Sequence, residues 1–547
     1  MPRVWQVAAP AAPPTMRTVQ PDDPTPSPDP AEHPGGSQVP LDGDVPLETG
    51  DHPGLDPADL EATLRVLGQL HELPRGHPDI ETVKRATGRM YKAVRKARRA
   101  EARRAERQPL LDADQRLMER TATGSPQRID DETAGILLET PTGLAGAGHV
   151  IGQLNIPRGC YICHEKFTAV DSFYHWLCPR CAGDSHARRD QHTDLRGKRA
   201  LLTGGRAKIG MYIALMLLRD GAELTITTRF PRDAARRFAA QPDHADWIDR
   251  LSIVGIDLRD PTQVIALADE VAAGGPLDIL INNACQTVRR TPGSYSHLTE
   301  GEKAPLVGDE LRPAMLAFDR ISEAHPAALV GSLSEHAVAH AEGGGGLTAS
   351  DMTRLALRAG SASLEAHQRG TALDAGGLLP DVLQVNSWTQ KVQEVDPMEL
   401  LEVQLCNSVA PFLLVSRLRP SLAEAVRRGA RRSYVVNVSA MEGQFSRRYK
   451  GSGHPHTNMA KAALNMLTRT SSEEMLQTDG ILMTAVDTGW ITDERPHTEK
   501  LRIAAEGWHA PLDLVDGAAR VYDPIVRGEA GEDLYGVFLK NFEPHPW

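Results

Sequence analysis

The sequence predicts an α/β protein. Its larger part, about 195–547, reads as a doubly wound parallel sheet behind an N-terminal helical region and a compact cysteine module. Three observations predict it. A short apolar run, a glycine turn and an amphipathic run follow one another at 198–218, the pattern of a strand entering a helix through a tight turn. Further apolar runs alternate with helical patterns as far as residue 486, as parallel strands with crossover helices require. Between the helical region and the first strand lie two Cys-x-x-Cys pairs, Cys160 with Cys163 and Cys178 with Cys181.

Composition bounds the reading. The 547 residues leave room for more than one domain, and a net charge of −11 argues against nucleic-acid binding by the chain as a whole. No apolar run is long enough to span a bilayer. Pro10, Pro13 and Pro14 break the start of the chain, which lacks a secretory layout and favours a cytoplasmic location. In a reducing compartment, paired cysteines point to metal rather than to disulfides.

Residues 1–57 are rich in Pro, Asp and Gly and read as a disordered tail. Residues 58–150 read as a helical, partly basic region. Leu60, Leu64, Leu67 and Leu70 recur at helical spacing, and a second helix at 80–107 carries Lys92, Arg95, Lys96, Arg98, Arg99, Arg103, Arg104 and Arg107. Such a run suits an acidic protein partner or nucleic acid. It lacks interleaved aromatics, so a solvated helix face is the preferred reading.

Residues 151–190 form the cysteine module. Each Cys-x-x-Cys supplies two thiolates from one turn, and fourteen residues separate the turns. Two turns close a tetrahedron around zinc with no open position, so the zinc expected here is structural. His164, His175 and His186 are surplus to that set. The module resembles a zinc ribbon or treble clef.

The strands are read at 200–203, 223–228, 251–256, 277–284, 433–438 and 481–486, with a last one at 535–540. Thr203-Gly204 with Gly210 ends the first. Asp257 follows the third, and Asn282-Asn283-Ala284 ends the fourth. Asn407 lies in Asn407-Ser408-Val409-Ala410, and Lys461 in Met459-Ala460-Lys461-Ala462. On these motifs the region 195–547 resembles the short-chain dehydrogenase/reductase (SDR) superfamily as a divergent member with an N-terminal four-cysteine zinc module. The resemblance implies a Rossmann domain that binds a dinucleotide at the turn of Gly204, Ile209 and Gly210.

An acidic residue after the second strand would select a free ribose 2′-hydroxyl. Arg229 stands there instead and suits the 2′-phosphate of NADP(H). Lys208 replaces the family's middle glycine, and Arg206 adds charge to the same turn. By resemblance, Asp257 meets the adenine region and Asn283 and Ala284 flank the adenosine ribose. Lys461 reaches the nicotinamide ribose, and the backbone near Ile491 holds the carboxamide.

The chemistry departs from the family. Thr457 occupies the place of the tyrosine four before Lys461, and Ala440, beside Ser439, occupies that of the serine. Asn407 and Lys461 remain, with Tyr449 and His454 as candidate relocated proton donors. Three readings follow. The preferred one is an NADP(H)-dependent oxidoreductase acting on a small carbonyl or enoyl substrate. The second is a catalytically silent NADP-binding sensor that works through protein partners, and the third a scaffold with an empty pocket.

Residues 287–380 exceed an ordinary connection. This insertion, with a helical pattern at 350–367 and a glycine run at 343–346, is expected either as a lid beside the nicotinamide pocket or as a surface contact. After the sixth strand, Thr488 replaces the family's proline ahead of Gly489. By analogy, the Asn407 and Lys461 helices pair copies of the chain into a homo-oligomer.

Overall fold

The computed structural model describes residues 55–126, 128, 149–326 and 374–547, apart from short gaps at 291, 319, 321, 375–376, 380–384, 448, 492–493, 497–498, 501 and 504–505. The expected tail at 1–54, the glycine run at 343–346 and the helical pattern at 350–367 lie outside the described residues. The chain divides into two compact units, Met1–Val83 and Lys84–Trp547.

In the first unit, α1 (Pro57–Gln69) starts with Pro57 behind Asp56, whose carboxylate accepts from the Ala58 N–H at 2.7 Å. Its Leu60, Leu64 and Leu67 are exposed. Helix α2 (Pro78–Met118) runs 41 residues and buries only Asp114 and Met118, near its end. Its basic run from Lys92 to Arg107 is exposed throughout.

In the second unit, β1 (Val150–Gly159) and β2 (Lys166–Asp171) form an antiparallel hairpin followed by α3 (Pro179–Arg189). The remaining strands in chain order are β3 (Arg199–Leu202), β4 (Glu223–Thr228), β5 (Leu251–Gly255), β6 (Ile279–Asn282), β7 (Ala314–Ala317), β8 (Ser433–Ser439), β9 (Ile481–Asp487), β10 (Phe538–Lys540) and β11 (Glu543–His545). They lie side by side as β11-β10-β9-β8-β6-β3-β4-β5-β7. All neighbouring pairs are parallel except β10 with β11. The inner strands read as unbroken apolar runs because helices cover both faces, and every residue of β9 is buried. On one face, α4 (Lys208–Arg219), α5 (Pro231–Ala239) and α11 (Leu514–Glu529) share a core with β3, β4 and β8. On the other lie α6 (Pro261–Ala273) and α9 (Ala410–Arg427). This is an α/β Rossmann-like fold. Its strand order reverses between β3 and β6, which opens a crevice at their carboxyl ends.

The segment after β6 builds α7 (Ser296–Lys303) and β7. Glu302 accepts from the N–H groups of Arg232 and Asp233, two helix-start donors of α5 that have no intrahelical partner, and β7 extends the sheet at β5. These anchors hold its described residues on the β4–β5 half of the sheet. Residues 327–373 of the expected insertion, and with them its expected role as a lid or a surface contact, lie outside the described residues.

Helix α8 (Pro397–Gln404), one π turn (Leu405–Val409) and α9 form one continuous helical stretch. Among the described residues this stretch, Pro397–Arg427, is the one helix long and apolar enough to cross a membrane. Here its apolar face, including Leu414, Leu418 and Leu422, is buried against α6 and the sheet.

Candidate functional site

The crevice is built by the glycine turn between β3 and α4. Gly204 takes φ = +70°, and a Cβ there would meet the Ala284 Cα at 2.9 Å. A Cβ on Gly210 would sit 2.0 Å from the Gly204 carbonyl oxygen. Both positions therefore require glycine, because the turn packs directly against Ala284 and against its own backbone. The Thr203 hydroxyl accepts from the N–H groups of Asn283 and Ala284, each at 3.0 Å. The Asn283 amide donates to the carbonyls of Thr203 and Gly204 at 3.1 and 3.2 Å. Strands β3 and β6 are thus locked at the switch point. Lys208 adopts φ = +53°, the left-handed conformation natural to the glycine it replaces.

The basic residues divide by partner. Arg206 pairs with Asp233 at 2.5 Å and lies over the Phe230 ring. Lys208 pairs with Asp374 at 3.3 Å. Arg229, exposed after β4, donates to the Tyr295 hydroxyl at 3.3 Å and faces its ring at 5.0 Å. Asp257 is clamped by Arg259, which also reaches Glu402 at 3.0 Å. That clamp points to a structural role for the Asp257 carboxylate. Arg259 and Tyr295 escaped the sequence reading, because nothing local marks a residue that converges on a site from a separate connection.

Asn407 sits in the π turn, a helix irregularity common at functional sites. Its amide donates to the Gln286 carbonyl at 2.9 Å and accepts from the Gln286 N–H at 2.7 Å. This two-point clamp ties the loop after β6 to the helix. Lys461 lies in α10 (Pro455–Asp479), buried, with Nζ donating to the Val438 carbonyl at 2.8 Å. A Cβ on Gly443 would stand 2.6 Å from the Lys461 carbonyl carbon, so the turn after β8 lies directly on the lysine's helix. Thr457 donates to the Thr287 carbonyl at 3.4 Å. Ser439 turns away onto Asn465 at 2.5 Å.

The candidate relocated donors have surroundings of their own. Tyr449 is 70% exposed. His454 stacks on Trp388 with ring centroids 3.9 Å apart, and its Nδ1 lies 3.0 Å from the Trp388 carbonyl oxygen. Burial lowers its pKa from the usual histidine value. His456 is buried deeper, 3.9 Å from Glu399.

The loop after β9 runs through Asp487, Gly489 at φ = +80° and Trp490 to the buried Ile491. The Trp490 N–H donates to the Tyr161 hydroxyl at 2.9 Å. Tyr161 lies between Cys160 and Cys163. Ile491 shares a core with Cys160, Cys178 and Cys181, and Ile209 packs against that core from α4.

The four sulfurs of Cys160, Cys163, Cys178 and Cys181 lie within 4.8 Å of one another. Cys163 and Cys178 are 3.7 Å apart, too far for a disulfide and close to the edge of about 3.8 Å that a tetrahedron of 2.3 Å Zn–S bonds requires. The Cys178 N–H donates to the Cys160 sulfur at 3.3 Å, and hydrogen bonding from Cys181 pulls the Cys160 thiol well below the usual range. The donor set fits a closed tetrahedral metal site.

Residues 198–302 match the family described as short chain dehydrogenase. An uncharacterized protein of Acanthamoeba polyphaga mimivirus is 29% identical over 379 residues, 67% of this chain and 71% of that protein. A probable oxidoreductase of Streptomyces antibioticus is 38% identical over 91 residues, 17% of this chain and 30% of its own length. Among solved structures, an NADPH-bound carbonyl reductase from chicken fatty liver aligns with a TM-score of 0.38 at 17% identity, over 64% of this chain and 100% of that one.

Proposed function

We propose that the α/β unit is a domain of the SDR superfamily, that it binds NADP(H) and that it transfers hydride to or from a small carbonyl or enoyl substrate. The observation that carries this reading is the switch-point crevice. Glycine-only backbone lies at the start of α4, Arg229 stands at the end of β4 and Lys461 is buried at the end of β8. The start of α4, at the positive end of the helix dipole, suits a pyrophosphate. Arg229 suits a 2′-phosphate because it is exposed and its hydrogen-bond partner here is a tyrosine hydroxyl rather than a carboxylate. Arg206 and Lys208, which already hold carboxylates, supply the surrounding positive field.

A bound nicotinamide would supply or accept the hydride. The chain's own part is positioning. Lys461 orients the nicotinamide ribose, while Asn407 fixes the loop that flanks it through Gln286. Asn283, Ala284 and Ile491 line the remainder. Zinc held by Cys160, Cys163, Cys178 and Cys181 is structural in this reading, since four thiolates leave no coordination site for a substrate. The exposure of Phe412 on α9 and of Met459 and Met466 on α10 supports a homo-oligomer through these helices.

A silent NADP-binding sensor is the second reading. It is favoured by the threonine four before Lys461, the 70% exposure of Tyr449 and the engagement of His454 with Trp388. One experiment separates the two. Zinc-loaded protein is screened against carbonyl and enoyl compounds for loss of reduced-nicotinamide absorbance. Turnover that vanishes in Lys461→Met establishes the oxidoreductase. Tight NADPH binding without turnover across the screen establishes the sensor.

A further inference from the structure

The cysteine module does not stand apart from the crevice. Its first knuckle begins as β1 ends, and the Cys160 N–H donates to the Glu165 carbonyl while the Cys160 carbonyl accepts from the His164 N–H. This turn projects Tyr161 between two metal-ligand positions. The Tyr161 hydroxyl accepts the Trp490 N–H at 2.9 Å. A Cβ added to Gly489 would come within 3.7 Å of the same hydroxyl. One residue further on, Ile491 is buried in a single apolar cluster with Cys160, Cys178, Cys181 and Phe173, and Ile209 of the pyrophosphate-side helix packs on that cluster. A module of few residues thus touches both walls of the crevice.

The loop after β9 needs such support. Thr488 has no ring to restrict its φ, and Gly489 at φ = +80° adds a second loose joint. We propose that the four-thiolate metal site is a brace for this loop. With metal bound, the knuckle is rigid and Tyr161 fixes the backbone of Trp490 and Ile491 in the nicotinamide-binding conformation. Metal occupancy and nucleotide affinity are then linked, and anything that strips the metal or oxidises the thiolates loosens the nicotinamide half of the site. Tyr161 is a positioning residue in this account. The inference rests on the nucleotide reading above, but the brace itself has a signature that needs no nucleotide.

The test compares zinc-loaded wild type with Tyr161→Phe. Amide hydrogen exchange across 487–491 is measured without nucleotide. Calorimetry then gives the affinities for NADPH and for 2′,5′-ADP, which carries only the adenosine half. The expected variant keeps its zinc and its 2′,5′-ADP affinity. Its Trp490 amide, which loses the Tyr161 hydroxyl, exchanges faster, and NADPH binds about tenfold more weakly. Removing zinc from the wild type by chelation reproduces both changes. Because linkage is reciprocal, saturating NADPH holds zinc more tightly by the same factor. Unchanged exchange and unchanged NADPH affinity in Tyr161→Phe overturn the brace, as does a purified protein that binds no zinc. Faster exchange in a protein that binds neither nucleotide keeps the brace and overturns the nucleotide reading beneath it.

Discussion

Lys208 shows how one position serves backbone and charge at once. Its φ of +53° costs about 1 kcal/mol for a residue with a Cβ, and its side chain pairs with the largely buried Asp374. In an ordinary helix, alanine is more favourable than glycine by about 1 kcal/mol. At this turn the order inverts. Lys208→Gly is expected to exceed Lys208→Ala in stability by about 1 kcal/mol in chemical denaturation, while both weaken NADPH. Equal or reversed stabilities would mean the left-handed turn is not what fixes this position. Asn407 makes a contrasting prediction, because its value lies in two hydrogen bonds to the Gln286 backbone. Asn407→Ala leaves a buried N–H and carbonyl unpaired and is expected to cost about 2 kcal/mol of stability, read as a lower denaturant midpoint.

At the scale of elements, the sheet was legible because parallel strands covered on both faces must be continuous apolar runs. The runs at 223–228 and 251–256 reappear as β4 and β5 almost residue for residue. The edges were not legible. β7 is a four-residue strand, exposed at every position, held in place by β5 and by the docking of α7 on α5, and no periodicity announces it. The site was legible where chemistry is local, in the glycine turn, the Cys-x-x-Cys pairs and the basic residue after β4. It was hidden where partners come from distant sequence. Asp233 claims Arg206 from the next helix, and Tyr161 reaches Trp490 across 329 positions of sequence. The exposed Phe412, Met459 and Met466 belong to elements whose other faces are core. If they pair two copies, Met466→Glu is expected to shift the protein to monomer in light scattering, with its fold intact by circular dichroism. An unchanged assembly size would remove that face from the account.

Across the whole molecule, burial leaves several histidines neutral. Burial, with Arg128 adding to it, pulls His509 down to about 4, and burial likewise lowers His175 and His456. The unfolded chain takes up these protons near 6.5, so as pH falls from about 6.5 towards 4 it binds protons that the native state refuses. Stability from these groups is complete above that window and is lost as pH falls through it. The melting temperature should fall accordingly, with a shallower slope in His509→Asn. The same molecule-wide packing joins the cysteine module, the start of α4 and the loop after β9 through one apolar cluster, and the central claim is that NADP(H) occupies the crevice beside it. Titration of wild type and Arg229→Ala with NADPH and NADH tests this most directly. The account predicts that wild type prefers NADPH, and that Arg229→Ala loses about tenfold or more in NADPH affinity with NADH unchanged, as the loss of a charged hydrogen bond requires. NADPH binding that ignores the substitution, or no binding of either nucleotide, would contradict it.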